Sequence, residues 1–157
     1  MKEISVKQAL MVRRPVLGDT IPISLWRLLR LVAMPRAFGK QAAKLDRKLG
    51  IEVGKLLSVK EPEDIIDAIN NAQIGICNPI EKGPGFYAIE FTECFTCSGI
   101  EPAIGEAICD FEVAIIEGAL TKIGVNIESI KETKCMGGLG DPVCRVDVKH
   151  RIEVKVK

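Results

Sequence analysis

The chain has 157 residues, of which 47% are hydrophobic and 27% charged, so we expect one globular domain over residues 1–157. Its 22 basic residues nearly balance its 21 acidic ones, which argues against the positive field of a nucleic-acid-binding protein. Arg27 and Arg30 interrupt the longest apolar stretch near the N-terminus, so we predict no membrane span and a cytoplasmic location.

The first half of the chain is predicted to be helical. A first helix is expected from Pro22 to Pro35, because proline is tolerated in the first turn of a helix and disrupts its interior. A second helix is predicted over residues 36–57, where apolar residues return at helical spacing. Gly50 and Gly54 would let another backbone approach this helix closely, in the same chain or in a second subunit. A short third helix follows Pro62.

The second half of the chain mixes strands with one long helix. Residues 74–82 and 85–94 read as two strands of a hairpin that turns at a Gly-Pro-Gly segment. Residues 104–123 carry apolar side chains at every third or fourth position, which predicts a long buried helix. Strands are predicted over residues 125–132 and 144–156, the latter because apolar and charged residues alternate. Short connections favour antiparallel pairing, so we predict an α+β fold with helices on an antiparallel sheet.

The chain contains six cysteines: Cys77, Cys94, Cys97, Cys109, Cys135 and Cys144. In a reducing compartment we expect thiols or metal ligands, although a thermophilic source would also admit disulfides. Cys135 and Cys144 flank the loop MGGLGDPV, whose glycines can adopt left-handed backbone conformations that bring the two thiols together. With Glu132 and Cys109, these cysteines form one candidate set of zinc ligands.

The Cys94-x-x-Cys97 motif is a competing metal-binding pair. The eight residues between Cys135 and Cys144 are more than a zinc pair usually has, so spacing alone leaves the assignment open. A redox role is less favoured, because the motif does not open a helix after a strand in a βαβ unit. Packing as a small buried hydrophobic residue is the alternative for every cysteine and is preferred for Cys77.

No pattern in the sequence assembles a nucleophile with its base. The GGLGD segment lacks the Gly-Lys-Ser/Thr ending of a phosphate loop and leads into a strand. His150, the single histidine, falls on the predicted buried side of the last strand, a position more typical of an interior residue than of a catalytic base. No nicotinamide or flavin fingerprint is visible, so we predict a binding domain without catalytic residues.

The segment from Cys109 to Val148 resembles the C-terminal signature of the 4-vinyl reductase, or hydrocarbon-binding, domain family. The signature combines a cysteine at the long helix, a downstream glycine, a glutamate ahead of a second cysteine, a Gly-Asp pair and a final cysteine. In this chain these residues are Cys109, Gly118, Glu132, Cys135, Gly140, Asp141 and Cys144. The resemblance implies an archaeal member of this family.

The resemblance also implies a zinc site. In phenol-sensing transcriptional regulators that carry this domain, three cysteines and a glutamate hold zinc beside the effector pocket. The corresponding ligands by position are Cys109, Glu132, Cys135 and Cys144, and the CxxC motif is left out. The sensors contact phenol with a histidine and a tryptophan, where this chain has Lys60 and Ala88, so recognition of phenol itself is not implied.

The family resembles in fold the TRAPP trafficking subunits, which dimerise through N-terminal helices and hold an acyl chain. Both comparisons imply a homodimer with an apolar pocket, so the leading prediction is a sensor or carrier of a small hydrophobic molecule with zinc as a structural clip. The predicted pocket residues are Phe86, Tyr87, Phe91, Phe95, Phe111 and Ile115. A reductase of a tetrapyrrole vinyl group and a dimeric interaction module are the alternatives.

Overall fold

The computed structural model describes residues 4–9, 11, 14–16, 20–101 and 103–152. Helices accompany one antiparallel sheet, which confirms the predicted α+β fold. The helices are α1 (Val6–Ala9), α2 (Ile23–Arg27), α3 (Met34–Phe38), α4 (Ala42–Leu56), α5 (Asp64–Asn71), α6 (Asp110–Lys122) and α7 (Met136–Leu139). The strands are β1 (Ile76–Cys77), β2 (Glu81–Gly83), β3 (Phe86–Thr92), β4 (Ile127–Lys134) and β5 (Cys144–His150).

The five strands form a sheet of order β1-β3-β5-β4, with β2 also paired to β3. Every pairing is antiparallel, so both predicted hairpins form. Phe91 in β3 lies opposite Cys144 in β5, which brings the end of β3 beside the start of β5. The alternation predicted for the last strand holds as far as His150, and its predicted extension past residue 152 lies outside the described residues.

The N-terminal helical region differs from the prediction at Pro35. The helical path continues past this proline, because a π-helix over Leu28–Ala33 precedes α3 and Pro35 sits in the first turn of α3, where its missing N–H costs least. The chain breaks instead at Gly39, whose φ of 53° is a left-handed value. A 3-10 turn over Gly39–Gln41 follows, so α4 begins six residues later than the predicted start at residue 36.

Helices α4 and α6 pack with their backbones in close contact, and glycines on both helices make this possible. A Cβ atom on Gly50 would lie 2.6 Å from the Cβ of Ala114. A Cβ on Gly54 would lie 2.8 Å from the backbone nitrogen of Ala119, and one on Gly118 would lie 2.9 Å from the carbonyl carbon of Ile51. The backbone that approaches the glycine face of α4 is therefore α6 of the same chain and not a second subunit.

The long buried helix begins later than predicted. Residues 103–109 are not helical and include Gly105 with a φ of 95°, so α6 spans Asp110–Lys122. Cys109 is the N-cap residue, with φ −98° and ψ 36°, and therefore precedes α6 instead of lying within it. Buried side chains surround α6 on nearly all sides, which is typical of a central core helix.

The hydrophobic core lies between the sheet, α5 and α6. Its fully buried side chains include Ile65 and Ile69 of α5, Ile116 of α6, and Val146 and Val148 of β5. Among the described residues, no helix has the length and apolarity needed to cross a membrane.

Candidate metal centre and adjoining cavity

Five of the six cysteines converge at one end of the sheet. Cys94 and Cys97 follow β3, Cys109 precedes α6, Cys135 follows β4 and Cys144 begins β5. All five are fully buried, and none forms a disulfide. Their Sγ atoms lie 3.6 Å apart for Cys94 and Cys109, 3.3 Å for Cys97 and Cys144, and 3.7 Å for Cys109 and Cys135. A tetrahedral zinc site places its sulfurs about 3.8 Å apart.

The cluster contains two overlapping groups of donor atoms. The atoms of each group lie within 4.8 Å of one another. The first group contains the four ligands that the resemblance implied: Cys109, Glu132, Cys135 and Cys144. The second group joins the CxxC motif to two of these ligands: Cys94, Cys97, Cys109 and Cys144. The CxxC pair that the resemblance set aside is therefore part of the same cluster.

Glu132 supplies the carboxylate of the cluster. Its Oε2 accepts a hydrogen bond of 2.9 Å from the backbone N–H of Cys109. Its Oε1 is buried and has no hydrogen-bond partner in the described part of the chain. Burial raises the pKa of Glu132 to about 8, so the site disfavours a carboxylate that lacks a cation. A metal ion held by Oε1 would satisfy this buried oxygen, and the residues present fit such an ion.

The thiols of the cluster share their protons. Contact with Cys109 lowers the pKa of Cys94, and contact with the same residue lowers the pKa of Cys97 to about 4. The pKa of Cys109 is raised in turn by contact with Cys135. Thiolates are the form that binds soft metal ions. Cys77 lies apart from the cluster, and burial raises its pKa to about 11, as expected for a packed thiol.

The glycine-rich loop forms one helical turn, α7, between Cys135 and Cys144. Only Gly140 of its glycines is left-handed, with a φ of 80°. Gly137 instead lets α7 approach the CxxC segment, since a Cβ there would lie 2.9 Å from the side chain of Ile100 and closer still to the carbonyl oxygen of Cys97. The carboxylate of Asp141 accepts a 2.8 Å hydrogen bond from the N–H of Cys135, which fixes the start of the turn.

Arg27 holds the CxxC segment in place, a role that the sequence did not reveal. Its guanidinium donates hydrogen bonds to the carbonyl oxygens of Phe95, Cys94 and Ser98, at 2.7, 3.4 and 2.8 Å. The available signal was a charged residue within the apolar stretch ISLWRLLRLVAM. Arg27 therefore ties α2 to the metal-ligand segment.

An apolar cavity of about 370 Å³ adjoins the cluster. Its walls come from the segment before α2, from α2, α4 and α6, and from the turn that follows α5. The lining residues are Ile21, Ile23, Trp26, Val53, Ala72, Gln73, Ile74, Phe95, Phe111 and Ile115. Three predicted pocket residues, Phe95, Phe111 and Ile115, are among them.

The other predicted pocket residues lie elsewhere. Phe91 is fully buried in the core, Tyr87 stacks on His150 with ring centroids 4.4 Å apart, and Phe86 lines a separate surface depression. Trp26, whose role in the cavity the sequence did not reveal, stacks on Phe95 at 5.8 Å. Its Nε1 is buried without a hydrogen-bond partner among the residues described.

A buried ionic network separates the cavity from the surface depression beside α3. The Arg30 guanidinium pairs with Asp46 at 2.6 Å and lies 3.7 Å from Glu112. Thr96, within the CxxC segment, accepts a hydrogen bond from Arg30 and donates one to Glu112. Arg30 also lies over the ring of Phe111, 4.4 Å from its centroid. The network therefore links the N-terminal helices, α6 and the CxxC segment.

Sequence comparison places this site within a known domain family. Residues 87–150 match the vinyl-4-reductase domain, a stretch that includes all five clustered cysteines and Glu132. The uncharacterized protein MJ1642 of the archaeon Methanocaldococcus jannaschii is 26% identical over 133 residues, covering 85% of this chain and 80% of its own.

Solved structures share the fold. A vinyl-4-reductase family protein of Methanocaldococcus jannaschii superposes with a TM-score of 0.63 at 23% identity, over 87% of this chain and 85% of its own. The phenol-responsive sensory domain of the transcription activator PoxR, solved with phenol, gives 0.60 at 16%, over 85% and 76%. Trafficking protein particle complex subunit 3 of Naegleria fowleri, covalently bound to palmitic acid, gives 0.58 at 17%, over 83% and 95%.

These likenesses confirm the resemblance predicted from the cysteine and glycine pattern. The relatives of known source include archaeal proteins. Residues 87–150 of this chain therefore belong to the vinyl-4-reductase domain family.

Proposed function

We propose that this protein binds a small hydrophobic molecule in the cavity and acts as a sensor or carrier. The carrying observation is the apolar cavity of about 370 Å³ between α2, α4 and α6, a volume within the range of small-molecule sites. Trp26, Phe95 and Phe111 give it aromatic walls. The ligands in the titles of two similar structures, phenol and palmitic acid, support an apolar ligand as a proposal for this chain.

The ligand is expected to carry one hydrogen-bond acceptor. Trp26 lines the cavity, and its buried Nε1 donor has no partner among the described residues. An unpaired buried donor costs about 1–3 kcal/mol, which an oxygen atom of a ligand would recover. Lys60 is exposed and Ala88 is buried in β3, and neither lines the cavity. The polar contact is therefore assigned to Trp26.

A zinc ion is proposed beside the cavity, held by Cys109, Glu132, Cys135 and Cys144. When bound, zinc supplies structural cross-linking, because a closed set of four protein ligands leaves no position for water or substrate. The four residues join the start of α6 to the end of β4 and the start of β5. The clip therefore fixes the helix that provides Phe111 and Ile115 to the cavity.

Ligand binding can be followed through Trp26, the single tryptophan of the chain. Titration with phenol, 4-octylphenol or octanol is expected to change its fluorescence saturably. Val53→Phe should weaken binding at least tenfold, because Val53 lines the cavity and the larger ring would occupy it. Leu56→Phe is the matched control on the same helix, since Leu56 is exposed and lies outside the cavity. No saturable change with any probe, or equal binding by both variants, would contradict the proposal.

A homodimer through the N-terminal helices is also proposed. Leu25, Leu28 and Leu29 are 53–57% exposed, and a second copy covering them would bury a continuous apolar surface. Leu28→Glu is expected to halve the mass measured by light scattering at micromolar concentration. Ile76→Glu, an equally exposed position on β1, should leave the mass unchanged. A wild-type chain that is monomeric at high concentration would refute the dimer.

A further inference from the structure

We propose that the cysteine cluster holds two zinc ions. Cys94 and Cys97 would bind the second ion and share Cys109 and Cys144 with the first as bridging thiolates. The inference rests on the metal site of the proposed function and extends it, because the first ion requires neither Cys94 nor Cys97.

The arrangement of donors supports two positions. Six donor residues form two groups of four, and only Cys109 and Cys144 belong to both groups. Two tetrahedral ions that share two bridging ligands require six donors in this arrangement. The sulfur of Cys94 lies 3.6 Å from Cys109, and the sulfur of Cys97 lies 3.3 Å from Cys144. Each member of the CxxC pair therefore contacts one of the two shared ligands.

Burial argues against a single ion. An ion bound by Cys94, Cys97, Cys109 and Cys144 leaves Glu132 Oε1 buried without a partner in the described chain. An ion bound by Glu132 and the other three cysteines leaves Cys94 and Cys97, both fully buried, in contact with the sulfurs of a metal-bound group. Two divalent ions use all six donors and compensate four of their six formal negative charges.

The chain also holds the second ligand pair in a defined position. Glu93 adopts a left-handed conformation with a φ of 50°, which is uncommon for a residue with a side chain. It turns the chain directly before Cys94. Arg27 donates to three carbonyl oxygens of this segment, and the absence of a side chain at Gly137 admits the carbonyl oxygen of Cys97. Such support for a ligand segment is typical of metal sites.

Five thiolates and one carboxylate favour zinc over magnesium or calcium, because soft sulfur ligands select thiophilic ions. Bridging by Cys109 and Cys144 would bring the start of α6 and the start of β5 against both ions. The CxxC segment would then be joined to α6 by metal–sulfur bonds as well as by packing.

The test is the zinc content of the full chain, expressed with zinc and purified without chelator, by native mass spectrometry and elemental analysis. We expect two zinc ions in the wild type and in Cys77→Ser, a control outside the cluster. We expect one in Cys94→Ser/Cys97→Ser and one in Glu132→Gln/Cys135→Ser. One zinc in the wild type, retained in Cys94→Ser/Cys97→Ser, would overturn the second ion and leave the proposed function intact. No zinc in the wild type would overturn both.

A measurement on the unmodified chain covers the case in which a variant does not fold. NMR of the wild type reconstituted with a magnetic cadmium isotope should show two cadmium resonances, coupled through the bridging sulfurs. A single resonance at saturation would overturn the second ion. Iron with acid-labile sulfide in place of zinc would overturn the assignment of zinc.

Discussion

Gly118→Ala is expected to destabilise the domain by more than about 4 kcal/mol, a loss found only where a substitution disrupts close packing or an equally severe feature. The new Cβ would lie 2.9 Å from the carbonyl carbon of Ile51 and closer still to its oxygen, so α4 and α6 would have to separate. Helix propensity alone predicts the opposite sign, because alanine is favoured over glycine by about 1 kcal/mol within a helix. The sign of the change therefore identifies which effect dominates.

Urea unfolding followed by circular dichroism measures the difference. Gly54→Ala should behave in the same way, because its Cβ would meet the backbone of α6. Gly83→Ala is the control, since a Cβ there has its nearest neighbour at 4.0 Å and the residue has no positive φ. A Gly118→Ala variant as stable as the wild type would show that the two helices are not in backbone contact.

Arg30→Met is expected to cost about 3–5 kcal/mol, the usual result of removing one partner of a buried ion pair. Asp46 and Glu112 would lose their cation, and Arg30 itself is only 6% exposed. Replacing Glu112 as well, in Arg30→Met/Glu112→Gln, should recover part of the loss because one uncompensated carboxylate is removed. Lys55→Met is the control, since Lys55 forms only an exposed pair with Glu52.

The loss in Arg30→Met is expected to depend on pH. Burial raises the pKa of Glu112 from its ordinary value of 4.5 to about 8, so the native state binds this proton more tightly than the unfolded state does. The associated stabilisation is fully present below pH 4.5 and is lost as pH rises through 8. Arg30→Met should therefore lose stability between about pH 5 and pH 9, and Arg30→Met/Glu112→Gln should lose less. An equal slope for the two variants would exclude Glu112 as the titrating group.

The C-terminal half of the fold could be predicted because its patterns are local. Alternating residues predicted β5, and recurring apolar residues predicted the core helix α6. The start of α6 could not be predicted, because residues 104 and 108 continue the apolar spacing while Gly105 adopts a left-handed conformation. At Pro35, the π-helix over Leu28–Ala33 is an irregularity that periodicity does not report.

The CxxC pair shows why only part of the metal site could be predicted. The sequence indicated both hairpins but not the order of their strands in the sheet. Pairing of β3 with β5 places Phe91 opposite Cys144 and so brings the end of β3 to the start of β5. Cys94 follows that end by two residues. Strand order, a tertiary property, therefore unites two motifs that spacing alone placed in competition.

Cavity residues and cluster residues are close neighbours along the chain. Phe95 directly follows Cys94, and Phe111 lies two residues after Cys109. A bound molecule that shifts either ring must also act on a sulfur of the cluster, so cavity and metal centre are thermodynamically linked. Linkage is reciprocal: the factor by which a cavity ligand changes metal affinity equals the factor by which metal changes ligand affinity. The concentration of available zinc would then set the sensitivity of the domain to its hydrophobic ligand.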